Sequence, residues 1–140
     1  MPVMKVDGRC LCGSVTFEAH VDPATAAICH CTDCQQNSGT AYGIVVRVVD
    51  NQFTCLSGTI KSFVKTADSG NKRALGFCPE CGTRIFGRPV EDPKAHFSLR
   101  VGNLNQREQL VPQRQIWCRS AQPWTQDLSG IPKFATRPNP

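Results

Sequence analysis

The chain has 140 residues, a formal net charge of +5 and 40% hydrophobic residues. That length suits one domain, and the apolar content is enough to bury a core, which excludes an intrinsically disordered protein. No apolar run approaches the ~18 residues a membrane-spanning helix needs. The cations (Lys61, Lys65, Lys72, Arg73, Arg84 and Arg88 among them) are dispersed rather than gathered with aromatics into a nucleic-acid footprint.

In chain order, Met1 to Gly8 lacks the apolar stretch of a signal peptide, so a cytoplasmic protein with reduced thiols is expected. Cys10-Leu11-Cys12-Gly13 follows, just before Val15 to Ala19, whose apolar/polar alternation predicts a half-buried strand. Cys29-His30-Cys31 leads into a short helical turn predicted over Thr32 to Ser38 and ended by Gly39. Ile44 to Val49 is β-branched apart from Arg47 and predicts a more buried strand. Gln52 to Leu56 and Thr59 to Lys65 flank Ser57-Gly58 and predict a hairpin. Arg73 to Phe77 predicts a strand leading into Cys78-Pro79-Glu80-Cys81-Gly82. Phe97 to Val101 alternates again, and Gln115 to Trp117 is one more short strand. The tail after Gly130 is proline-rich and irregular. The fold class is all-β with little helix.

Seven of the nine cysteines fall in three tight groups. In a reducing compartment such groups read as metal ligands rather than disulfides. The Cys78–Cys81 knuckle turns both sulfurs toward one point, helped by Pro79 and by a positive φ at Gly82; a redox pair would want a βαβ context, which is absent. Cys10 and Cys12 point to one side if the chain there is extended. Knuckle and pair make four ligands for a closed, structural Zn²⁺ site; the plain alternative is that Cys10 and Cys12 are small buried hydrophobes. Cys29, Cys31 and Cys34 make three ligands for a second ion with a position to spare. The alternative is a second closed site completed by Cys55, Cys118 or His30. Of these, His30 is poorly placed, Cys55 reads as a core residue and Cys118 as packed. Four thiolates on a divalent ion carry two net negative charges and three carry one, so the metallated chain falls to about +2. A three-thiolate site is a weak Lewis acid, poorly suited to activating water. Its soft donors suit a soft fourth ligand such as a substrate thiol, held as thiolate and aimed at an electrophile.

The order Cys-x-Cys-Gly, Cys-His-Cys-x-x-Cys-Gln-x-x-Ser-Gly and Phe-Cys-x-x-Cys-Gly-Thr (Cys10 to Gly13, Cys29 to Gly39, Phe77 to Thr83) resembles the glutathione-dependent formaldehyde-activating enzymes, which include centromere protein V. Val101-Gly102-Asn103-Leu104, Pro123-Trp124 and Ile131-Pro132-Lys133-Phe134 are similar to the family's too. The resemblance implies one domain over residues 6–134, with 135–140 an irregular tail, and an Mss4-like fold of small twisted antiparallel sheets. It implies two Zn²⁺, a structural one on Cys10, Cys12, Cys78 and Cys81 and a catalytic one on Cys29, Cys31 and Cys34. It also implies carbon–sulfur lyase chemistry that joins glutathione and formaldehyde into S-hydroxymethylglutathione, with no nucleic-acid or membrane partner. By motif position Gln35, Ser38 and Arg73 are candidates to bind glutathione. Their plain readings are a solvated amide, a turn-closing hydroxyl and an exposed strand charge. Trp117 and Trp124 read as core or edge packing rather than substrate platforms.

Overall fold

The computed structural model describes residues 1–67, 69–92 and 96–138. Eight strands form one sheet: β1 (Met4–Arg9), β2 (Thr16–Cys29), β3 (Gly43–Ser57), β4 (Lys61–Thr66), β5 (Lys72–Phe77), β6 (Arg84–Pro89), β7 (Ser98–Arg100) and β8 (Arg114–Ile116). The α-helix α1 (Thr32–Ser38) joins β2 to β3, and among the described residues four 3₁₀ turns follow β7. The strand order is β1-β2-β3-β7-β6-β5-β4, antiparallel throughout, and β8 runs parallel to the end of β2. An all-β architecture was expected, and this is one. No described helix is long and apolar enough to cross a membrane.

β2 shows the alternation read from its sequence: Phe17, Ala19 and Val21 are buried and the residues between them are not. Its register against β3 shifts between Asp22 and Ala27, around Pro23, which cannot donate to a ladder. β3 is a single bent strand where two segments were expected. Asp50 and Asn51 take φ of 49° and 56°, a conformation their short polar side chains tolerate, and the strand turns there.

The hairpin predicted around Ser57-Gly58 does not form. Gly58 does make a turn, at φ 77°, but β3 pairs with β2 and β7 and β4 pairs with β5. Burial decides this. Phe53 on β3 stacks on Phe17 of β2 at 5.4 Å and packs on Phe86 and Phe97 at 5.6 and 5.4 Å, whereas β4 is largely exposed. With Val6, Ile85 and Leu99, this aromatic cluster forms the core, each aromatic pair contributing about 1 kcal/mol beyond area burial. The tail shows no helix or strand over 135–138; residues 139 and 140 lie outside the described residues.

Candidate functional site

Two cysteine groups converge. The first joins the β1–β2 turn to the β5–β6 turn. Cys10 and Cys12 were expected in extended chain; they lie instead in a tight turn, closed by Gly13 N–H donating to the Cys10 carbonyl at 3.1 Å. The turn brings the two sulfurs together as effectively as a strand would. In the knuckle, Gly82 N–H donates to the Cys78 carbonyl at 2.8 Å and Gly82 has φ 79°. The Sγ atoms of Cys10, Cys12, Cys78 and Cys81 all lie within 4.8 Å of one another. Cys10–Cys12 is 3.6 Å and Cys12–Cys78 is 3.8 Å. A tetrahedron with Zn–S bonds of ~2.3 Å has S···S edges of ~3.8 Å, so the group fits zinc.

Donors surround these sulfurs. Thr83, through its side chain and its backbone, pulls the Cys81 thiol down to about 5. Burial works to raise Cys10, but the Val15 amide (3.2 Å), the Ser14 hydroxyl and the neighbouring cysteines outweigh it and bring Cys10 down to about 7. Cys10 and Cys78 are fully buried. An ion held by these four sulfurs would have no open position.

The second group is built at the junction of β2 and α1. Cys29 ends β2 and is buried; Cys31 is the N-cap of α1, its Sγ accepting from Cys34 N–H at 3.3 Å. Gly39 ends the helix in the left-handed region (φ 67°), its N–H donating to the Gln35 carbonyl at 2.9 Å. The Sγ atoms of Cys29, Cys31 and Cys34 lie within 4.8 Å of one another, and no other His, Cys, Asp or Glu among the described residues joins them. This donor set also fits zinc, with three ligands. The shared protons divide unevenly. Hydrogen bonds to Cys31 and Cys34, with burial, push Cys29 up. Hydrogen bonds to Cys29 and Cys31, together with the charge of Arg100, hold Cys34 far below an ordinary thiol.

His30 is not a ligand. Its ring is buried, Nε2 lies 2.8 Å from Gln115 Oε1, and Nδ1 has no partner. Cys55, expected in the core, and Cys118, expected to be packed, are exposed and outside both groups. The Cys55 thiol instead reaches the Ser57 carbonyl at 3.2 Å on the outer part of β3. Trp117 and Trp124, expected to pack, are each 54% exposed. Trp117 takes φ 57°, with the Arg119 guanidinium 5.2 Å from its ring centre.

The three candidates for substrate binding have these neighbours. Gln35 Nε2 donates to the His30 carbonyl (2.9 Å) and the Ser120 carbonyl (3.0 Å), and Oε1 accepts from Gln122 at 3.0 Å. Ser38 Oγ lies 2.8 Å from Thr40 Oγ1. Arg73 is half-buried and donates to the His96 and Gly87 carbonyls at 2.6 and 2.9 Å. Burial lowers its pKa, and the Cys34 thiolate opposes that shift. Sequence reasoning missed Arg100, whose Nη1 donates to Cys34 Sγ at 3.8 Å while Nη2 donates to Asn37 Oδ1 at 3.1 Å. It also missed Asn37, whose carbonyl accepts from Arg84 Nε at 3.3 Å.

Residues 5–120 match the family described as glutathione-dependent formaldehyde-activating enzyme. The chain belongs to that family. No curated protein matches it. A crystal structure of a Rhodobacter sphaeroides protein is similar, with a TM-score of 0.55 and 20% identity over 78% of this chain and 98% of the other; at that identity the likeness concerns the fold. For this member of the glutathione-dependent formaldehyde-activating family, the matched range includes both cysteine groups, Arg73 and Arg100. It ends at Ser120, within the segment that Gln35 ties to α1.

Proposed function

We propose that the protein is a two-zinc, carbon–sulfur lyase-type enzyme acting on thiol–aldehyde adducts, most simply joining glutathione and formaldehyde into S-hydroxymethylglutathione. The observation that carries this is the convergence of Cys29, Cys31 and Cys34, two of them partly exposed, with no fourth ligand among the described residues. Zinc held there would supply a position for a substrate thiol, kept as thiolate at neutral pH. The sulfur bonds to the aldehyde carbon, and the proton given up by the thiol ends on the former carbonyl oxygen.

The chain's own residues supply orientation and charge. Arg73, on the Cys34 side, offers positive potential to a peptide thiol bearing two carboxylates. Gln35 and Ser38 contribute by shaping the rim: Gln35 holds the 120–122 segment against α1, and Ser38 closes the turn into β3. We take residues 6–134 as the unit that carries this activity, in the cytoplasm, where glutathione and these thiols are reduced.

The test compares S-hydroxymethylglutathione formation with the spontaneous rate. Zinc-replete wild type should exceed it, and Cys31→Ala should fall to it while keeping one zinc per chain. Wild type no faster than the uncatalysed reaction, or Cys31→Ala as fast as wild type, would sink the catalytic reading. A second reading, a non-catalytic zinc-stabilised binding or carrier module, draws on the exposed Trp124, Leu128, Ile131 and Phe134 near the C-terminus. It predicts thiol or partner binding without rate enhancement.

A further inference from the structure

Three features of the fold converge on one guanidinium beside the second cysteine group. Arg100 ends β7, and its Nη1 donates to Cys34 Sγ at 3.8 Å. Its Nη2 is fixed by Asn37 Oδ1 at 3.1 Å, from the last turn of the same helix that carries Cys34. The third feature is a missing side chain. A Cβ built on Gly43 would collide with Arg100 Nη1, while the backbone of Gly43 does not occupy the left-handed region. Glycine at 43 therefore admits the guanidinium; no unusual backbone requires it. In register, Gly43 pairs with Cys29 and Val45 pairs with Arg100, so the arginine reaches along the sheet to the sulfurs.

We propose that Arg100 is a positioning residue that offsets the negative charge of the three-cysteine set at Cys34 and so lets an anionic thiolate take the fourth position. Three thiolates on a divalent ion carry one net negative charge, and a fourth would make two. Charge builds up badly in a site where Cys29 is buried and Cys34 half-buried. A fixed guanidinium touching one of the sulfurs cancels one unit and withdraws electron density through its N–H···S bond. This inference rests on the metal-site reading above, and its test does not use turnover.

The protein is loaded with cobalt(II) in place of zinc, and its thiolate-to-metal charge-transfer absorption is followed while 2-mercaptoethanol or glutathione is added. The four-cysteine site is closed, so changes on adding thiol report the second site. Arg100→Gln should keep two metals per chain and move the thiol-free band to longer wavelength, because the sulfur becomes richer in electrons. It should also weaken both thiols about tenfold or more. Arg100→Lys should restore part of that affinity. Gly43→Ala displaces the guanidinium without removing it and should shift band and affinities in the same direction, which keeps the test decisive if Arg100→Gln fails to fold. Wild-type spectra and affinities in both Arg100→Gln and Gly43→Ala would overturn the proposal. A loss confined to glutathione would also overturn it, because Arg100 would then be reading a carboxylate. If wild type bound neither thiol, the functional reading above would fall, while the thiol-free band of Arg100→Gln against wild type would still decide whether Arg100 acts on Cys34.

Discussion

Gln35 uses both ends of its amide within the chain, which makes it a tie between α1 and the segment that follows β8. Gln35→Ala would leave two carbonyls and the Gln122 amide to find other partners. We expect a loss of about 1–3 kcal/mol in urea unfolding, with faster proteolysis after Trp117. Unchanged stability would mean that the segment is held by packing alone. Asp7 offers a prediction in pH. Gln106 and Asn105 donate to its carboxylate at 2.6 Å each and hold its pKa below the ordinary 3.8. A depressed carboxyl contributes stability above its unfolded pKa and loses it as pH falls through the folded one. Asp7→Ala should therefore be less stable than wild type at pH 7, and the gap should close below the carboxylate range; a gap constant down to pH 2 would refute this. At this scale the two converging cysteine groups were legible because their spacing alone limits what they can do. Arg100 was not. It lies 66 residues from Cys34, and nothing local marks it apart from other strand arginines until Gly43 and Asn37 are placed around it.

Among the elements, α1 was read correctly because its end is a chemical signal, a left-handed glycine at Gly39; the capping Cys31 side chain at its start was found only in the structure. That end can be tested by a matched pair. A Cβ on Gly39 meets nothing within 4 Å, yet φ is 67°; a Cβ on Gly102 also meets nothing, and φ there is ordinary. Gly39→Ala should cost about 1 kcal/mol by thermal or urea unfolding, and Gly102→Ala should be near neutral. Equal effects would show that α1 is not ended by backbone conformation. β1 and β6 were missed for identifiable reasons. In β1 the inward positions are Met4, Val6 and Gly8, so the apolar alternation ends in a glycine. In β6 adjacent Ile85 and Phe86 are both buried, which breaks the alternation that marks a strand. The hairpin expected after β3 failed because a turn signal at Ser57-Gly58 specifies a change of direction and leaves the partner open; the Phe53 contacts chose β2.

Across the whole molecule the two cysteine groups, metallated as proposed above, should carry the fold unequally, because they span different lengths of chain. The first joins β1–β2 to β5–β6, near opposite ends of the strand order, and its Cys12–Cys78 contact crosses 66 residues of chain. Fixing a loop of that length removes about 4 kcal/mol of unfolded-chain entropy on a cross-link argument. The second lies within six residues, where the same argument gives about 2 kcal/mol, and β2 and α1 already hold its members close. Cys78 is also fully buried, so a serine there would leave a hydroxyl in the core with no metal to hold. Cys78→Ser should therefore cost about 4 kcal/mol or more, whereas Cys31→Ser should keep the fold with at most about half that loss and release one metal. Stepwise chelation should follow the same order, with the three-ligand metal leaving first because exchange needs an open position and the melting transition collapsing only when the four-ligand metal leaves. The check is metal content by mass spectrometry of the intact protein alongside its thermal midpoint. Equal destabilisation by the two substitutions, or a melting transition that collapses with the first metal released, would show that the three-cysteine group carries the fold as well.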